Sequence, residues 1–126
     1  MDTEAGPQLD MAVAKACGFK PRVIHDFDRG AIVHIETGRS VAGVPLLREF
    51  SPSVDVNNAF EAAEKVGLFG SNGGWLFRFL GEGDHPGTWA IYEYYDKLKV
   101  VAGNAPSAAV AICLAILKLT YSIAPS

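Results

Sequence analysis

The sequence predicts an α+β domain: three helices covering a mostly antiparallel sheet, arranged as a three-layer α-β-α sandwich. Three observations lead there. The hydrophobic pattern runs helix, strands, helix, strands, helix along 126 residues, a length that suits one core. Short strand-to-strand links favour antiparallel pairing. Between Ala108 and Leu117 no residue is polar apart from the Cys113 thiol, and a helix that is apolar all round belongs inside a fold. That run falls short of the roughly 20 residues needed to cross a bilayer. Strands with apolar groups on both faces need cover on both sides, hence the three layers.

Each element has a local reason. Residues 1–6 read as a loose tail. Pro7 to Cys17 is a helix with Leu9, Val13 and Ala16 at helical spacing and Gly18 as its stop. Arg22–Phe27 and Ala31–Glu36 read as strands joined by Asp28-Arg29-Gly30, where glycine takes the positive φ of a tight turn. A break follows at Thr37-Gly38-Arg39-Ser40. Val41–Phe50 is partly extended, with Gly43 and Pro45 against a central strand. Ser53 or Asp55 caps a second helix. Its expected buried face is Val56, Ala59, Phe60, Ala63 and Val66, and Gly67 ends it.

The glycine-rich link 67–74 leads to a strand from Trp75 to Leu80, a loop over 81–87, and strands over Thr88–Tyr95 and Leu98–Ala102. Asn104 is read as the cap of the last helix, with Pro106 in its first turn. Residues 121–126 read as a second tail. The whole of 1–126 is one domain.

Composition narrows the function classes. The chain is 49% hydrophobic and 20% charged, as a globular protein is, and its net charge of −3 argues against an electrostatic grip on nucleic acid. The two cysteines show no Cys-x-x-Cys spacing and fall among apolar neighbours, the pattern of reduced, buried thiols. An acidic start without a basic-then-apolar run predicts a cytoplasmic protein that makes no use of a membrane.

The pattern Leu9-Asp10…Val13-Ala14…Gly18, then Phe50-Ser51-Pro52-Ser53-Val54-Asp55…Ala59-Phe60, a Trp strand, and Ala105-Pro106-Ser107 through Leu117 resembles the phage "ABA sandwich domain" proteins. In that family a Tyr-Ser-Thr-Asp motif precedes the middle helix. Here Phe50 stands for the Tyr and Pro52-Ser53-Val54 lengthens the gap to Asp55. The resemblance implies the sandwich fold and a phage origin, and it carries no settled activity.

The candidate binding residues come from the helix starts and the aromatic strands. Ser51, Ser53, Asp55 and Asn58 open the middle helix, and Asn104 and Ser107 the last. Free N–H groups at such starts attract phosphate or carboxylate, and the same residue types also serve as simple caps. If both starts open on one sheet edge, a polar pocket forms between them. Trp75 offers a stacking face for a base, and Arg78 among rings both stacks and grips phosphate. His25 and His34 flank the Asp28-Arg29-Gly30 turn. They face each other if the turn has two residues and not if it has three.

No Ser-His-Asp or Cys-His setting is present, the glycine-rich link lacks the Gly-Lys-Ser/Thr ending of a phosphate loop, and no ligand set suggests a metal. No catalytic residue, metal or cofactor is therefore expected. The sequence-level expectation is a non-enzymatic phage protein. It binds and sequesters a small molecule, such as a nucleotide-type immune signal, as a homo-oligomer. The alternative is a module that binds a host or phage protein through the same rings.

Overall fold

The computed structural model describes residues 5–68, 76–80, 88–95 and 98–123. The elements in chain order are α1 (Pro7–Ala16), β1 (Pro21–Asp26), β2 (Gly30–Val41), β3 (Val44–Glu49), α2 (Val56–Val66), β4 (Leu76–Leu80), β5 (Thr88–Tyr95), β6 (Leu98–Ala105) and α3 (Ala108–Ile123). The α+β class holds, with three helices and antiparallel strands. The strands do not form the single sheet expected. They pair as two three-stranded sheets, β1-β2-β3 and β4-β5-β6.

The centre of the molecule is α3. It rests on β5 and β6 on one side and against α1 and α2 on another, while α1 also packs on β1 and β2. Ala111, Ile112, Cys113, Ala115, Ile116 and Leu117 are all buried, as the apolar run requires. No helix among the described residues is long and apolar enough to cross a membrane.

On α2 the buried stripe is Ala59, Ala62 and Ala63, whereas Val56 and Phe60 are exposed. Ala59, Ala63 and Val66 lie on the core side as expected, and Ala62 joins them in place of Val56 and Phe60. Three alanines let the α2 backbone come close to α3. The last helix also differs at its start. Asn104 is in β6, opposite Ala90, and the cap is Ser107, whose Oγ accepts from Val110 N–H at 3.4 Å. Ladder pairing continues three residues past Ala102 and so uses Asn104 as strand. At the other end α3 runs to Ile123, through part of the expected tail.

β2 passes through the expected break at 37–40, absorbed by a register irregularity between Glu36 and Ser40. β3 tolerates Pro45 because it is an edge strand. The β2–β3 turn is Ala42-Gly43, both with positive φ, 52° and 81°. Alanine is strained there, at about 1 kcal/mol relative to glycine. Ala42→Gly is expected to raise unfolding stability by about 0.5–1 kcal/mol in urea titration; a loss of stability would contradict the turn geometry.

Candidate functional site

The site is built where the start of α1 meets the approach to α2. Gly6 precedes α1 with φ 153° and ψ 179°, a conformation open to glycine and not to residues with a Cβ. Its N–H donates to Ser53 Oγ at 2.9 Å, and that hydroxyl donates back to Gly6 C=O at 3.4 Å. Asp10, one turn into α1, accepts from Ser53 N–H at 2.7 Å. Asp10 and Ser53 are 4% and 1% exposed, while Gly6 is half-buried at the edge of the clasp. Burial pushes the Asp10 carboxyl above its ordinary value, against the lowering effect of its bonds from Ser53. Gly6, expected in a loose tail, is tied down by this contact.

The remaining residues at this helix start also serve the chain. Asp55 is the N-cap of α2 and accepts from Asn57 N–H at 2.9 Å. Asn58 Oδ1 accepts from Ser51 N–H at 2.9 Å. Ser51 C=O takes the N–H groups of Val54 and Asp55. Ser53, Asp55 and Asn58 therefore act as structural partners of the backbone.

Beside the clasp lies a notch of about 260 Å³, lined in part by Gly6, Asp10, Arg29, Ile32, Ser51 and Val54. Three elements make it: the α1 start, the β1–β2 turn and the approach to α2. An apolar groove of about 460 Å³ adjoins it, lined by Pro7, Gln8, Met11, Val23 and Ala31. Pro7 and Ala31 line both.

Arg29 gives the notch its cation. Its guanidinium donates to both Glu49 oxygens, at 2.5 and 3.2 Å, and to Asp26 Oδ2 at 3.4 Å. The Asp28 and Arg29 N–H groups hold the Asp26 carboxyl below the ordinary range, and the Arg29 side chain does the same for Glu49. The arrangement offers a hydroxyl, a cation held by two carboxylates, and an apolar floor beside them.

Of the sequence-predicted residues, Ser51 lines this notch and the start of α3 does not. Arg78 and Asn104 flank Ala90 on either side in one cross-strand row of the β4–β6 sheet. Trp75, most of the glycine-rich link and His85 lie outside the described residues. The β1–β2 turn has three residues between Asp26 and Gly30, so His25 pairs with Ala31 and His34 with Arg22. The histidines do not face each other. Among the described residues no cluster of three or more His, Cys, Asp or Glu could hold a metal.

Both thiols are buried. Desolvation raises Cys17 to about 11 and pushes Cys113 further up, so neither is a ready nucleophile.

Sequence reasoning missed Asp10 and Arg29 as site residues. Asp10 was detectable as a carboxylate at helical spacing with Val13 and Ala14 on the buried stripe of α1. Arg29 carried no such mark, because its partner Glu49 is 20 residues away. Compared with family models, curated proteins and solved structures, the chain matches none.

Proposed function

We propose that this is a non-enzymatic, cytoplasmic phage protein that binds and sequesters a small molecule with an anionic end and a planar apolar part, as a nucleotide-type signal has. The observation that carries the reading is the polar notch at Arg29 and Ser51 continuous with the apolar groove beside Met11 and Val23. Together they have the size and mixed lining of a small-molecule site. Arg29 meets the anion, and Ser51 supplies a hydroxyl. The groove takes the apolar part.

The resemblance to the phage ABA sandwich proteins supports the phage origin. As a fold, this reading takes the β4–β6 sheet as the central layer of a three-layer sandwich, with α3 as one cover. The protein acts as a homo-oligomer and needs no cofactor.

Isothermal titration against a panel of cyclic nucleotides and ADP-ribose derivatives tests the reading. Saturable heat with at least one is expected, and no heat with any overturns it. Arg29→Ala is expected to weaken the responding ligand about tenfold to a hundredfold, the worth of a charged hydrogen bond. Unchanged affinity would place the anion elsewhere.

The second reading, a protein-interaction module, is favoured by Phe27, Val54 and Phe60, which are exposed around the hairpin tip and α2. Specific capture of a host protein, lost on Phe27→Ala and Val54→Ser with no nucleotide heat, would favour it.

A further inference from the structure

We propose that the open edge of β1 is a dimer interface, on which a second copy of this chain adds its own β1 antiparallel about a two-fold axis at Ile24. The hydrogen-bonding parity of the sheet fixes which groups are open. Phe50 N–H donates to Val33 C=O at 2.9 Å, so the Val33 main chain faces the β3 side. Residues in an antiparallel ladder alternate between neighbours. Ile32 and His34 therefore bond their β1 partners, Ile24 and Arg22. The N–H and C=O groups of Val23 and His25 are left pointing away from β2. No described backbone group outside β2 bonds to the β1 main chain.

Edge strands are usually blunted by charge or proline along their length. Here Val23 and Ile24 stand at the middle of the edge, 43% and 41% exposed, and Phe27 beyond them is fully exposed.

The register centred on Ile24 pairs both outward N–H and both outward C=O groups of Val23 and His25. With Ile24 on the axis, Val23 lies opposite His25 of the second copy, and each pair exchanges N–H and C=O bonds. Arg22 lies opposite Asp26 of the second copy in a non-hydrogen-bonded position, where side chains approach most closely. That charge complementarity occurs twice by symmetry. Arg22 is available for it, 58% exposed and only 3.8 Å from Glu36 at its nearest. Asp26 spends Oδ1 on the Asp28 and Arg29 N–H groups and has Oδ2 more loosely held, 3.4 Å from Arg29.

The next step of the same register sets Phe27 against Pro21 of the second copy. Centring on Val23 would place Pro21, which has no N–H, opposite His25. Centring on His25 would place Ile24 opposite Asp26. The result is a continuous sheet running β3-β2-β1-β1-β2-β3.

The inference gives the oligomer of the functional reading its contact surface, and because Val23 also lines the groove it is read by mass and cross-linking on ligand-free protein. Light scattering on the full chain should give twice its 13.5 kDa. Val23→Pro removes an outward N–H that no described backbone group accepts, so it should halve the mass and leave the circular dichroism spectrum unchanged. Ile24→Cys should form a covalent dimer under mild oxidation while Val23→Cys does not; the native thiols are buried. If Val23→Pro fails to fold, the cysteine pair decides. A monomeric wild type, a dimer that survives Val23→Pro, or no cross-link at Ile24→Cys overturns the proposal. A monomer that still gives nucleotide heat overturns the interface and leaves the ligand site standing.

Discussion

Phe50→Ala is expected to lower unfolding stability by about 3–5 kcal/mol, the range for emptying a buried aromatic site. Phe50 is fully buried. Its ring meets Phe19 edge-on, with centroids 5.3 Å apart and planes at 78°, and the Arg48 guanidinium lies 5.9 Å from its centroid. Truncation removes all of these contacts at once and leaves a cavity between the first sheet and the helices. The position has a second consequence. Phe50 joins β3 to the approach to α2, and its N–H is anchored on Val33. Loosening it also loosens Ser51, so the notch should weaken for its ligand. Urea titration checks the stability, and a loss below about 1 kcal/mol would mean that the ring is not the keystone its burial implies.

Asp10→Ala should cost about 1–3 kcal/mol, because the buried Ser53 N–H would lose its carboxylate acceptor. Asp10→Asn keeps an acceptor oxygen and should cost less. The two variants separate the hydrogen bond from the charge.

The charge has its own signature with pH. The folded pKa of Asp10 is raised above its unfolded value, so the native chain holds that proton more tightly. Its contribution is fully present below the unfolded pKa and is lost as pH rises through the folded value. Asp26 and Glu49 behave oppositely. Their folded pKa values are lowered, so their contribution is present above the unfolded pKa and lost as pH falls. Total stability mixes the two signs. The difference between wild type and Asp10→Asn isolates the first. Denaturant titrations from neutral pH downward should show wild type gaining relative to Asp10→Asn as the carboxyl protonates. A difference that stays flat, or that shrinks on acidification, would show that the Asp10 charge is not penalised in the fold.

These two residues also show how far local reading reaches. Phe50 was legible as part of a motif ahead of a helix, although only packing shows that its ring meets Phe19. Asp10 stood within a helix whose periodicity was plain, yet its partner Ser53 is 43 residues away. For the helix starts, residue type was legible and occupation was not. Asp55 caps α2 as read, while Ser53 turned inward to Asp10.

By itself the sequence determined that α3 is buried, that α1 and α2 are helices with their stops at glycines, and that a hairpin turns beside Gly30, although the loop is Phe27-Asp28-Arg29 and Gly30 already pairs with Asp26. Those features follow from hydrophobic period, caps and turn chemistry, all of which act within a few residues. Only the tertiary structure decided that six strands divide into two sheets, that Asn104 extends a strand instead of capping a helix, and that Arg29, Asp10 and Ser51 border one notch. Ladder pairing and the satisfaction of buried polar groups depend on what long-range packing brings alongside, and no local pattern encodes that neighbour.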